Sequence, residues 1–133
     1  MEFNVNNPLV SVVLATYNGE LFIEEQIKSI LQQTYSPIEL IIVDDASTDN
    51  TLSILHQFEA THSCIRLFTS ERNLGYIKNF EKGMLLATGE YIALSDQDDI
   101  WEVGKLCRLM EETGNHELIY SDSLLIDENG KRT

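Results

Sequence analysis

The chain has 133 residues, 43% of them apolar, enough for one domain with a real core and unlike the composition of a disordered segment. Its formal charge is −13 and its sequence pI about 4.4. Such a surface repels nucleic acid and anionic lipid, because binding either one depends on Lys and Arg neutralising phosphates; an anionic ligand would need a local cation, most simply a metal ion.

Residues 1–8 read as a loose, Asn-rich segment. LVSVVLA, from Leu9 to Ala15, predicts a strand. Ile23, Ile27, Ile30 and Leu31 recur at i, i+4, i+7 and i+8 and predict a helix within 20–34, broken by Pro37. IELIIVDD is a second strand, apolar almost throughout before two acids. STDNT supplies N-cap residues for a helix carrying Leu55 and Phe58. CIRLFTS predicts a third strand, Ile77, Phe80, Met84 and Ala87 a helix closed by Gly89, and EYIALS a fourth strand. Val103, Leu106 and Met110 predict a shorter helix. ELIYSDSLLIDENGK closes with strand-like segments and an Asn129-Gly130 turn signal. Strands alternating with helices of this length predict one α/β domain over residues 1–133, built on a mostly parallel sheet. The first two strands lack polar alternation, as expected when helices cover both faces.

Cys64 and Cys107 have neither disulfide-framework nor zinc spacing. They read as two small buried hydrophobes in a reducing cytoplasm. With no leader-like start and no membrane-length apolar run, the expectation is a soluble intracellular protein. His56, His62 and His116 show no ligand spacing.

Ligands in open α/β sheets bind beyond the carboxyl ends of the strands. Here the strands run into Thr16-Tyr17-Asn18, Asp44-Asp45, Arg72-Asn73 and the cluster Asp96-Gln97-Asp98-Asp99. The glycine fingerprints of dinucleotide and P-loop sites are absent. The run from Asp96 is no EF-hand, since Ile100 and Trp101 stand where a ligand and a Gly are needed. Asp96-x-Asp98 suits instead a hard divalent cation that completes its shell with water and substrate phosphates. Taken singly, Asp44 and Asp45 equally fit turn and cap residues, and the Asp96 cluster a solvated loop.

VSVVLATYNGELFIEEQIKSILQQTY, ELIIVDDASTDNT and ERNLGYIKNFEKGMLLATGEYIALSDQDDIW together resemble, in order and spacing, the family-2 glycosyltransferases of GT-A fold. The resemblance covers roughly residues 8–109. It implies a three-layer α/β/α Rossmann-like domain that binds a UDP- or dTDP-sugar with Mn²⁺ or Mg²⁺. By that resemblance Tyr17 packs on the base with Thr16 and Asn18 beside it, and Asp44 and Asp45 bond the base or ribose. Arg72 and Asn73 fall at donor contacts, Asp96 approaches the ribose, and Asp98, aided by Asp96, holds the metal. Asp99 is expected to cap the next helix or support the site, and Trp101 to anchor the loop by packing.

The resemblance further implies transfer to an acceptor hydroxyl with inversion, in bacterial cell-surface polysaccharide synthesis. The general base belongs to an acceptor-binding half C-terminal to these residues, so the expectation is a donor-binding part of a longer enzyme. A glycan or lipid-linked acceptor would bind through that other half, at the cytoplasmic side or the inner face of the membrane. An uncovered sheet edge could favour a homodimer. Asp122 carries no mark of the base. The rival is a non-catalytic nucleotide-binding or protein-interaction module with a degenerate GT-A fold, separable by nucleotide and metal affinity. A phosphoacceptor receiver needs an acidic pair after the first strand, where Thr16-Tyr17-Asn18 stands, and a haloacid-type phosphatase needs an Asp-x-Asp on that strand, which is absent.

Overall fold

A computed structural model describes residues 6–114 together with Asn129 and Lys131. The strand-like segments expected at 117–128, His116 and Asp122 lie outside the described residues. The elements alternate as β1 (Val10–Thr16), α1 (Ile23–Leu31), β2 (Ile38–Asp44), α2 (Thr51–Thr61), β3 (Ile65–Thr69), α3 (Tyr76–Leu86), β4 (Tyr91–Ser95) and α4 (Lys105–Glu111). All four strands are parallel in the order β3-β2-β1-β4. Strand order therefore reverses beside β1, and the switch point lies between β1 and β4.

The period-2 geometry of strands sorts the apolar residues onto two faces. Val12, Leu14, Leu40 and Ile42 meet Ile23, Ile27 and Ile30 of α1, Leu55 of α2 and Leu106 of α4. Val13, Ile41 and Val43 meet Phe80 and Leu86 of α3 on the other face. With both faces covered, β1 is buried along its whole length, which is why its sequence shows no alternation. In β4 alternation returns: Ile92 and Leu94 stay exposed, Leu94 beside Ile77 and Leu85 of α3, and among the described residues nothing pairs with its outer edge. Cys64 and Cys107 are half-buried free thiols packed against the larger core, less enclosed than the sequence suggested.

A polar knot ties the other end of the sheet. Glu39 accepts from Ser11 Oγ at 2.7 Å, from the Thr88 amide at 2.8 Å and from Thr88 Oγ1 at 2.9 Å, with Arg66 3.8 Å away. Burial pushes the Glu39 carboxyl up, but these donors and Arg66 outweigh it and hold it below its ordinary value. Asp49, two residues before α2, is likewise pushed up by burial and brought lower overall by the Thr51 hydroxyl and amide and the Glu20 amide.

Both shifts have the same sign. The unfolded chain takes up protons that the folded chain refuses, so this stability is complete above the ordinary carboxylate pKa of about 4 and drains away as pH falls through the lower folded values. Glu39→Gln should cost about 1–2 kcal/mol at neutral pH and flatten the loss of stability on acidification. Urea melts of both proteins at neutral and acid pH test this, and parallel pH profiles would rule out Glu39 as a source of acid sensitivity.

Candidate functional site

The carboxyl ends of the strands surround a cavity of about 530 Å³, in the range of small-ligand sites. Thr16 and Tyr17 line it from the β1 loop, Asp45 from the end of β2, Asn73 from the β3–α3 loop and Asp96 and Gln97 from the β4 loop. Tyr76, Asn79 and Phe80 form its wall on α3. Five of the residues singled out in the sequence thus share one cavity: Thr16, Tyr17, Asp45, Asn73 and Asp96. Asn18, Asp44, Arg72 and Asp98 are not among its lining.

Each of these has a definite place. Asp44 is fully buried and accepts from Thr16 Oγ1 at 2.7 Å, Ser47 Oγ at 2.6 Å and the Ser47 amide at 2.9 Å. It welds the ends of β1 and β2 to the loop that follows. Asp45 reaches the other way, accepting the amides of Leu74 at 2.7 Å and Gly75 at 2.9 Å. Gly75, at φ 90°, is the residue before α3, and α3 has no side-chain cap of its own. A carboxylate at this helix N-terminus suits both the free amides and the dipole. Asn73 Oδ1 also accepts the Gly75 amide.

Asn18 accepts the Thr48 amide at 2.8 Å and gives its own amide to Ser47 Oγ at 2.9 Å. Tyr17 is 44% exposed, leaving its ring open to a partner, and Arg72 is exposed on the β3–α3 loop. Three non-glycine residues take left-handed backbone: Asn18 (φ 46°), Ala46 (φ 61°) and Asp98 (φ 76°). They fall one in each of the loops after β1, β2 and β4. Asn and Asp tolerate this region better than Ala does, and such strain persists only where surroundings enforce it.

For the acidic loop the enforcing residue is Gln26, which the sequence reading passed over. It is 0% exposed in the middle of α1. Its Nε2 donates to Ser95 Oγ at 3.0 Å and to the Asp96 carbonyl, and its Oε1 accepts the Asp98 amide at 3.1 Å. Ser29 then accepts the Trp101 amide at 3.0 Å, while Gln33 donates to the Glu102 carbonyl at 2.7 Å and accepts the Leu106 amide at 3.0 Å. The available signal was the i, i+3, i+7 spacing of Gln26, Ser29 and Gln33, a polar stripe beside the apolar one. Gln97 is a second omission: its Oε1 accepts the Tyr17 amide at 2.7 Å, joining the β1 and β4 loops across the switch point.

Trp101 is buried, as expected of a packing anchor, with Lys105 Nζ 4.6 Å above its ring. Asp99 does not cap α4, which starts only at Lys105 after Gly104; its amide closes the turn onto the Asp96 carbonyl at 3.3 Å. Burial, then the negative charges of Asp96 and Asp98, push the Asp99 carboxyl up against an opposing pull from Lys105. This loop is therefore short of positive charge. Among the described residues no three His, Cys, Asp or Glu side chains converge as a metal site. Two carboxylates without a third protein ligand, as Asp96 and Asp98 would supply, suit only an ion such as Mg²⁺ or Mn²⁺ that takes its remaining ligands from water and substrate phosphates. No helix among the described residues is long and apolar enough to cross a membrane.

An open α/β sheet with a polar cavity at its switch point has the ligand-binding crevice typical of doubly wound folds. The profile of glycosyl transferase family 2 matches residues 11–132, and the chain belongs to that family. It is 46% identical over 98 residues to the dTDP-rhamnosyl transferase RfbG of Shigella flexneri, covering 70% of this chain and 34% of that protein. It is 35% identical over 126 residues to the UDP-Glc:alpha-D-GlcNAc-diphosphoundecaprenol beta-1,3-glucosyltransferase WfgD of Escherichia coli, covering 88% and 49%. Among solved structures, the mannosyltransferase PcManGT of Pyrobaculum calidifontis in complex with GDP-Man and Mn²⁺ aligns with a TM-score of 0.73 and 30% identity, over 80% of this chain and 32% of that one. The fold is that of the GT-A glycosyltransferases. The chain spans less than half the length of each of these proteins.

Proposed function

We propose that these residues form the donor-binding part of a glycosyltransferase that moves a sugar from a UDP- or dTDP-sugar to an acceptor hydroxyl, with inversion, in cell-surface polysaccharide synthesis. The observation that carries the proposal is the convergence of Tyr17, Asp45, Asn73 and Asp96 on one cavity at the switch point. The half-exposed Tyr17 ring offers a stacking face for a base. Asp45, with lone pairs left after its two amide contacts, accepts an N–H from the base. Asp96 stands where a ribose hydroxyl can donate to it, and Thr16 and Asn73 complete the walls. Asn18 and Asp44 hold the loops in place, and Arg72 supplies a cation at the rim. The divalent ion, held by Asp98 with Asp96, supplies Lewis-acid stabilisation of the departing diphosphate.

The general base is assigned to a part of the enzyme beyond these residues, together with the acceptor site. RfbG is named for a dTDP-sugar and WfgD for a UDP-sugar and a lipid diphosphate, which supports a nucleotide-sugar donor and a lipid-linked glycan acceptor; the cytoplasmic face of the membrane is part of the proposal.

Calorimetric titration with UDP and dTDP, each with Mn²⁺ and again with EDTA, tests this reading. Removing a carboxylate ligand from a two-carboxylate site should weaken metal-dependent binding in Asp98→Ala at least about tenfold, by analogy with lost charged contacts, while EDTA abolishes the difference between the two proteins. A folded chain that binds neither nucleotide would instead mark a non-catalytic module.

A further inference from the structure

We infer that Gln97 is a positioning residue: its side chain, lodged against Gly19, latches the loop after β1 to the acidic loop after β4 and sets Tyr17 at the cavity. The inference rests on the nucleotide-donor reading of the site and adds to it the part that holds the two loops together. The ladder between β1 and β4 ends at Leu14 and Ser95, and a crevice opens where neighbouring strands of such a sheet part. Tyr17 and Gln97 lie just beyond that point, and both line the cavity. Gln97 Oε1 accepts the Tyr17 amide at 2.7 Å. A side chain thus supplies, across the gap, the bond that the ladder no longer supplies. On the other side β1 stays tied to β2 further along, the Asp45 amide donating to the Thr16 carbonyl at 2.9 Å.

Two further features make this a built contact. Gln97 stands between Asp96 and Asp98, and the backbone on both sides of it is clamped. Gln26 Nε2 donates to the Asp96 carbonyl, and Gln26 Oε1 accepts the Asp98 amide at 3.1 Å. The Gln97 side chain therefore starts from a base fixed by α1. At its far end lies Gly19, itself buried. A Cβ there would stand 2.8 Å from both Cδ and Oε1 of Gln97 and 3.2 Å from its Nε2. Gly75 and Gly114 are the described glycines at positive φ, so Gly19 contributes room for the Gln97 amide rather than an unusual backbone. One side chain thereby joins the carboxylates proposed for the metal to the ring proposed for the base, and a shift of either loop reaches the other.

The test combines amide hydrogen exchange followed by NMR with calorimetric titration of UDP and dTDP in Mn²⁺. Both are run on the chain, Gln97→Ala, Gly19→Ala and the double variant. The methyl added at Gly19 meets the far end of a flexible side chain, so it should displace the Gln97 amide and leave thermal unfolding nearly unchanged. Without nucleotide, the Tyr17 amide should exchange about 3–10-fold faster in either single variant, the net worth of one hydrogen bond. The nucleotide that the parent chain binds should bind about 3–10-fold more weakly. In the double variant the losses should not multiply. With the Gln97 amide gone the new methyl has nothing to displace, and both readouts should stay within about twofold of Gln97→Ala alone. Losses that multiply, or a Tyr17 amide that exchanges at the parent rate in Gln97→Ala, overturn the latch. Faster exchange with unchanged nucleotide affinity overturns its role in positioning Tyr17. A folded parent chain that binds neither nucleotide overturns the donor reading and the positioning role with it, while the exchange rates by themselves still decide whether the contact between the loops exists.

Discussion

Adding one methyl group at Gly83 should cost the fold about 2 kcal/mol, net of a gain in helix propensity of about 1 kcal/mol for replacing glycine by alanine. Gly83 lies in α3, where the helix crosses the centre of the sheet. A Cβ there would stand 2.3 Å from Val13 Cγ1 and 3.2 Å from Val43 Cγ2. Val13 is buried in β1, between β2 and β4, and has no room to retreat. The helix must therefore lift from the sheet, and with it the Tyr76, Asn79 and Phe80 wall of the cavity. Thermal unfolding should show a Tm several degrees lower for Gly83→Ala. Gly104→Ala is the control: nothing lies within 4 Å of its added carbon, so its effect should stay within about 0.5 kcal/mol. Equal melting of the Gly83→Ala variant and the parent would mean that α3 does not sit this close to β1.

Replacing Gln26 by leucine should damage stability and metal-dependent nucleotide binding together. The leucine preserves volume but leaves the Asp98 amide, the Asp96 carbonyl and Ser95 Oγ without the partner that Gln26 provides. Unmatched groups of this kind cost about 1–3 kcal/mol each and do not add simply, so a total of about 2–4 kcal/mol is expected. The larger consequence is local. Asp98 holds a left-handed backbone at φ 76°, and its amide is fixed by the Gln26 side chain. Once released, the loop can relax and shift the Asp98 carboxylate relative to Asp96. Nucleotide affinity with Mn²⁺ should then fall about tenfold or more, since a misplacement of about 1 Å is enough to lose such an interaction. Affinity measured with EDTA should change far less. A variant that melts early but keeps the metal-dependent component would make Gln26 a packing residue only.

Much of the architecture was legible because the signals are local and repeated. Unbroken β-branched runs mark strands covered on both sides, the 3.6-residue spacing of Ile23, Ile27 and Ile30 marks a helix packed on them, and acids recur just past the strand ends. Each follows from period and burial, which a sequence displays directly. The residues that line the cavity from strand ends, Thr16, Tyr17, Asp45, Asn73 and Asp96, could be named for the same reason: the strand exit is itself a sequence position.

The sequence by itself determined a parallel α/β domain, the strand ends that carry polar chemistry and the family those blocks resemble. Only the tertiary structure decided how the neighbouring acids Asp44 and Asp45 divide. Successive side chains leave a strand on opposite sides, so Asp44 turns into the weld with Thr16 and Ser47 while Asp45 turns to α3 and the cavity. It also decided that Gln26, Ser29 and Gln33 grip a loop roughly 70 residues further along the chain, and that Gln97 reaches back to the Tyr17 amide. Polar residues at helical spacing look the same in a sequence whether they face solvent or a distant loop. What separates the two is which backbone groups long-range packing brings within hydrogen-bond reach, and that is a property of the assembled sheet and its helices.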